Sequence, residues 1–190
     1  TKSRLATAQV GGFAGTACYV DVTSFTNEGD ISFSNSLAAT NAMNVGGIVG
    51  YASNQVNMKD CSNSGNVQIG ASAVTGNGLA GGIVGHGVNA SIDNCDNSGD
   101  VCVLNGYSGA ANVGGIAGQL NNVTVKNGSD NSGTVYATSQ KDTRVGGIVG
   151  TMVTAKITVD GSTNRGAVYV SKKSGQFLVG GIMGDGASLA

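Results

Sequence analysis

The pattern Val45-Gly46-Gly47-Ile48-Val49-Gly50 constrains this chain more than any other feature, because the chain writes it six times. The other copies begin at Val10, Ala80, Val113, Val145 and Val179, and the starting residues lie 35, 35, 33, 32 and 34 positions apart. A near-fixed period in this range marks a stack of like units, each too small to bury its apolar face alone. Glycine supplies 33 of the 190 residues, proline is absent, and charged residues make up only 11%. So much glycine is compatible with disorder, but disordered chains are poor in β-branched residues. Here Val and Ile alternate with Ser, Thr and Asn along the whole length, so an ordered, β-rich chain is expected.

Between the GG motifs a second signature recurs: Thr26-Asn27-Glu28-Gly29, Ser62-Asn63-Ser64-Gly65, Asp96-Asn97-Ser98-Gly99, Asp130-Asn131-Ser132-Gly133 and Thr163-Asn164-Arg165-Gly166. The residue before Asn is always Ser, Thr or Asp, side chains that bond back to nearby amides in turns. Gly29, Gly65, Gly99, Gly133 and Gly166 are expected to supply a positive φ that a Cβ resists. Alternating runs flank each signature, such as Val56-Asn57-Met58 before and Val67-Gln68-Ile69 after, and they read as half-buried strands. With the GG motif as a strand, each repeat holds three short strands, and helical periodicity is absent. The fifth copy is read as one residue out of step with its Asn, which predicts a small bulge near Val159 and Gly161.

Two arrangements accommodate three strands per repeat. Hairpins in a meander or propeller-like blade need two-residue turns and pairing inside one repeat. A parallel solenoid instead stacks equivalent residues ~4.8 Å apart. The column Asn27, Asn63, Asn97, Asn131 and Asn164 favours the solenoid, because stacked amides hydrogen-bond along a ladder. The expected fold is therefore all-β, a parallel β-solenoid (β-helix) of about five coils of ~33 residues, with residues 1–190 as a single repeat domain. Segments Ser34–Asn44, Gly70–Leu79, Leu104–Asn112, Thr138–Arg144 and Ser171–Leu178 share little sequence. In repeat proteins such insertions collect on one face, often the binding face. The chain opens and closes beside GG motifs without the polar caps that solenoid ends need, so it reads as a segment of a longer chain.

The Val/Ala-Gly-Gly-Ile-Val/Ala-Gly core followed by Asn-x-Gly-x-Val resembles the GLUG-type repeats of bacterial cell-surface proteins. Such repeats also occur in the N-terminal regions of M26-family immunoglobulin A1 proteases. The resemblance runs from Val10 to Gly184 and implies a β-solenoid and an extracellular or cell-surface setting, but no fixed activity. The His-Glu-x-x-His helix of the M26 zinc proteases has no counterpart, since His86 is the chain's one histidine.

The remaining candidates each have a structural explanation. Glycine-rich loops cradle phosphates where a strand leads into a helix, but here no helix follows, and the GG pairs read as tight corners with close backbone approach. Cys61 and Cys95 fall in one column, into which Phe25, Gly128 and Gly161 are also read. Stacked free thiols and a disulfide are both compatible with ~4.8 Å spacing. Cys102 alternates with Val101 and Val103 and is expected to point outward, with Cys18 elsewhere. This set lacks zinc-ligand spacing, so no metal or cofactor is expected. Asp96 and Asp130 share a column and form a candidate carboxylate pair, but Thr26, Ser62 and Thr163 hold the same place, so a turn-capping oxygen explains it. His86 falls where other copies have Thr16, Tyr51, Gln119, Thr151 and Asp185, and reads as a surface position.

Tyr136 and Tyr169 are expected to stack on adjacent coils facing solvent. Lys141, Arg144, Lys172 and Lys173 are placed in neighbouring loops as a modest basic edge. A net charge of −1 gives no electrostatic case for nucleic acid or an anionic membrane. No apolar run approaches the ~20 residues that span a bilayer. The expected function is that of a non-catalytic segment of a secreted or surface bacterial protein. Its role is adhesion and recognition of a host glycan or protein, or spacing between flanking domains. The alternative is a substrate-recruiting solenoid of a larger surface protease or glycan-degrading enzyme.

Overall fold

The computed structural model describes residues 7–34, 41–70, 75–104, 107–138, 141–154, 157–171 and 175–186. Every regular element among them is a β-strand, and every strand pairing is parallel between successive coils. The chain is a parallel β-solenoid. Val10, Val45, Ala80, Val113, Val145 and Val179 lie in one unbroken column, so the sequence period is the coil period.

Each coil crosses five sheets, more than the three strands per repeat that alternation alone predicts. Sheet 1 contains Ala8–Gly11, Met43–Gly46, Gly78–Gly81, Ala111–Gly114, Thr143–Gly146 and Phe177–Gly180. Sheet 2 follows the GG corner, from Ala14–Cys18 through Val49–Ser53, Val84–Val88, Ala117–Asn121 and Val149–Met152 to Met183–Asp185. Sheet 3 runs from Asp21–Thr23 to Thr158–Val159. Sheet 4 has only the pairs Thr26–Asn27, Ser62–Asn63 and Asp96–Asn97, continued by single bridges to Asn131 and Asn164. Sheet 5 runs from Ile31–Ser34 to Val168–Val170. The extra elements have a simple origin. The GG motif is a corner between two strands, and the Asn signature pairs for only two residues.

The interior is divided into two apolar lobes. Ile48, Val49, Ala52, Val56, Met58 and Cys61 belong to one, with their counterparts in adjoining coils. Met43, Val45, Val67 and Ile69 belong to the other. A fully buried Ile such as Ile83 contributes about 1.5–3 kcal/mol by leaving water. The lobes are separated where the second glycine of each GG pair meets the opposite wall. A Cβ on Gly47, Gly82, Gly115 or Gly147 would run into the side chain of Asn63, Asn97, Asn131 or Asn164 respectively. The two repeated signatures are therefore two sides of one contact.

Those asparagines form a continuous ladder. Asn27 Nδ2 donates to Asn63 Oδ1 at 2.7 Å, Asn63 to Asn97 at 2.8 Å, Asn97 to Asn131 at 2.7 Å and Asn131 to Asn164 at 2.8 Å. Each also donates to the carbonyl two residues on, as Asn97 does to Gly99 at 2.7 Å. Asn63, Asn97 and Asn131 are buried, and their polar groups are satisfied within the ladder.

Three expectations are corrected here. Gly29, Gly65, Gly99, Gly133 and Gly166 do not adopt positive φ. From Gly65 onward they are glycine because a Cβ would strike the carbonyl of the preceding coil's glycine. The left-handed corners lie elsewhere, at Tyr19, Asn54, Asn89 and Asn122 and at Ser24, Asp60, Asn94 and Asn127, and at all of these but Tyr19 a short polar side chain tolerates αL. The out-of-step coil is the fourth rather than the fifth: Val125 pairs with Ile92 and Val159, and Asn131 with Asn97 and Asn164. Its extra residue is absorbed by consecutive positive-φ residues Asn127 and Gly128. The cysteine column accordingly continues to Ser129, whose hydroxyl accepts from the Cys95 amide at 3.1 Å, and to Ser162, two residues before Asn164, and not to Gly128 or Gly161, the latter being a left-handed corner.

Candidate recognition face

Sheet 5 connects to sheet 1 of the next coil through all five variable segments, so these segments leave along one edge of the solenoid. They are shorter than sequence variability implies, because Met43, Gly78, Ala111, Thr143 and Phe177 already lie in sheet 1. Arg144 is thus a strand residue, and its Nε donates to Asp185 Oδ2 at 2.6 Å instead of contributing to an open basic edge. Lys141 is exposed beside it in the loop. Lys172 and Lys173 lie outside the described residues.

Tyr136 and Tyr169 occupy one column of sheet 5. Their rings are stacked, with centroids 5.2 Å apart and planes 6° from parallel. Strand alternation turns both outward, since Val135, Ala137, Val168 and Val170 point into the lobe. Tyr136 is half-buried, whereas Tyr169 remains 45% exposed. The next member of this column is Cys102. It points outward as alternation requires but is covered to 4% exposure. The Cys102–Tyr136 hydrogen bond pushes the Tyr136 hydroxyl up to about 12, and burial pushes the Cys102 thiol up. Tyr169 is therefore the accessible end of a Cys102–Tyr136–Tyr169 column.

One residue of the variable segments went unrecognised in the sequence. Tyr107 is fully buried, and its hydroxyl donates to the Gly76 carbonyl at 2.7 Å. Its ring takes the space beside Gly78, where other coils carry Met43, Ala111 or Thr143. Burial raises its hydroxyl well above the usual phenol range. The clue was compensatory: the coil with glycine at this sheet 1 position is the coil with a tyrosine in its loop.

Asp96 and Asp130 lie in a shallow groove of about 390 Å³ outside the Asn ladder, with Ser62, Ser98, Ser132 and Arg165. Their carboxylates cap successive coils. Asp96 Oδ1 accepts from the Asp130 amide at 3.1 Å, and Asp130 Oδ1 accepts from the Thr163 amide at 2.7 Å. Desolvation raises the Asp130 carboxyl, but Arg165 at 2.9 Å and the Thr163 amide outweigh it and hold the group below its usual range. The capping oxygens thus act between coils rather than within one turn. Among the described residues no group of three His, Cys, Asp or Glu side chains converges.

Cys61 and Cys95 are buried free thiols. The hydrogen bond between them draws Cys61 down to about 7, and the same bond together with burial drives Cys95 far up. His86 is half-buried rather than a plain surface residue. Its ring meets Tyr51 edge-on at 5.2 Å, its Nε2 lies 3.3 Å from Gln119 Nε2, and burial lowers its pKa. It belongs to a notch outside the GG corner, where sheets 1 and 2 turn side chains toward each other, as in the Gln9–Thr16 and Asn112–Gln119 hydrogen bonds.

Residues 41–68 and 76–101 match the family model of the GLUG motif. Searches of curated proteins and of solved structures return no match. Each matched segment runs from sheet 1 through the GG corner, both left-handed corners and the Asn wall into sheet 5. Each match therefore covers nearly one turn, and the chain is a β-solenoid in which two successive coils match the GLUG motif.

Proposed function

We propose that this chain is a non-catalytic recognition module of a secreted or surface-attached bacterial protein, which displays its variable edge to a host glycan or protein. The observation that carries this reading is that all five variable segments are bounded by a sheet 5 strand and the next sheet 1 strand, so their described ends share one edge, next to Tyr136 and Tyr169. The rest of each coil is committed to stacking, because its repeated glycines and asparagines contact the coils above and below. An exposed aromatic on a rigid sheet offers contact area at little conformational cost, and Tyr169 has that property.

The test is a binding array of glycans and host surface proteins, probed with the chain and with the Tyr136→Ala/Tyr169→Ala variant. Binding by the wild type that falls at least about ten-fold in the variant, a loss of ~1.4 kcal/mol, supports recognition through this face. Folded wild-type protein that binds nothing would replace recognition with the spacer reading.

A further inference from the structure

Of the four cysteines, the solenoid brings Cys61 and Cys95 together in its interior. Each stands directly before a sheet 4 strand, and Ser62 pairs with Asp96 in register. The Asp96 amide donates to the Cys61 carbonyl at 2.9 Å, which holds the two cysteines one coil step apart. That step sets their Cα atoms about 4.8 Å from each other, inside the ~4.4–6.8 Å range of disulfides. Both side chains enter the same apolar lobe, where they are 1% and 0% exposed.

The sulfur atoms lie along the column. Cys95 Sγ is 3.5 Å from the Met58 carbonyl, which belongs to the coil of Cys61, and 3.3 Å from the Asp93 carbonyl. Cys61 Sγ is 3.3 Å from the carbonyls of Val22 and Lys59. The column holds no competing thiol, since Phe25 precedes the pair and Ser129 and Ser162 follow it. Cys102 faces out of the other lobe beside Tyr136, and Cys18 is exposed at the end of its sheet 2 strand.

We infer that Cys61 and Cys95 form a cross-coil disulfide site, closed by exchange with a small disulfide such as oxidised glutathione. One protein thiolate attacks a sulfur of the oxidant, forming a mixed disulfide and releasing one glutathione thiolate. The second protein thiol loses its proton to solvent. Its sulfur then attacks the protein sulfur of the mixed disulfide and releases the second glutathione thiolate. Two protein thiols are oxidised, and one glutathione disulfide is reduced to two thiols. Cys61 suits the first step, because its thiol is drawn down to about 7 whereas that of Cys95 is driven up. Both sulfurs are covered once the coils have stacked, so the exchange accompanies the assembly or opening of those coils. The link pins the second coil to the third and closes a loop of one full turn, which restricts the unfolded chain. Such disulfides persist in the secreted or surface setting proposed above, but this site does not depend on what the variable edge binds.

The test is refolding of the reduced 190-residue chain from urea into a buffer of reduced and oxidised glutathione, quenched by alkylation and read by peptide mass mapping. A Cys61–Cys95 link is expected to predominate over every other pairing, and this preference should vanish in a control kept in urea. The linked protein should unfold at a higher urea concentration than the same protein with reductant. In Cys95→Ser the midpoint should no longer depend on reductant. This variant carries the residue that the fourth coil already accepts at the same place, Ser129. Cys18→Ser/Cys102→Ser leaves the pair intact and should link as wild type does. Recovery of Cys61 and Cys95 as alkylated thiols from refolded protein, dominance of another pairing, or a link that lowers the midpoint would each overturn the inference.

Discussion

At the scale of single residues, the buried amides of the ladder carry more than their neighbours. Asn97 donates to Gly99 and Asn131 and accepts from Asn63, with 1% of its surface exposed. Replacing it with Ala leaves buried partners unmatched, and each unmatched group costs about 1–3 kcal/mol. Asn97→Ala is thus expected to lose roughly 3 kcal/mol in urea unfolding, and an unchanged midpoint would remove the ladder from the account of stability. His86 gives a pH signature at the same scale. Burial lowers its pKa from 6.5, so the unfolded chain takes up the proton first as pH falls. Its contribution is complete above pH 6.5 and declines below it. In NMR titration the one histidine should therefore show a midpoint under 6.5, and His86→Gln should flatten the stability slope below pH 6.5.

At the scale of the element, the GG corner links two sheets and touches a third wall. Its second glycine is required only where another coil follows. At Gly82 a Cβ would collide with Asn97 and with the Gly115 carbonyl, whereas at Gly181 nothing lies within 4 Å. Gly82→Ala is expected to destabilise by about 3 kcal/mol or more, from overpacking against backbone. Gly181→Ala, at the same motif position, should be neutral or stabilising by up to ~1 kcal/mol, through the smaller entropy of the unfolded chain. Thermal unfolding of the two variants side by side decides this. Equal effects would mean that the glycine is selected for backbone freedom instead of for space.

At the scale of the whole molecule, stability is a sum over coil interfaces. Inner coils are held on two sides and terminal coils on one. The core of the second to fourth coils is fully buried at Ile48, Ile83 and Ile116, while the corresponding Phe13 and Ile182 are exposed. Hydrogen exchange should therefore protect the Ile83 and Ile116 amides by at least about a hundred-fold more than the Phe13 amide, an opening free energy larger by ~2.7 kcal/mol. Uniform protection would indicate one all-or-none unit.

Period, parallel stacking and the Asn column were legible in the sequence. A one-dimensional stack places equivalent residues in contact, so repetition along the chain directly reports contacts in space. The number of sheets per coil, the two-lobed interior and the role of the glycines depended on contacts across the coil. Gly47 against Asn63 joins residues whose spacing carries no periodic signal. The sequence also left Tyr107 in a loop, since only the space beside Gly78 shows that its ring turns inward. It placed Arg144 on an open basic edge, whereas its pairing with Asp185 arises from the meeting of two sheets at the corner. Local pattern determined which residues stack along the solenoid, and tertiary structure decided which walls meet across it, because cross-coil contacts depend on the fold's closure rather than on its period.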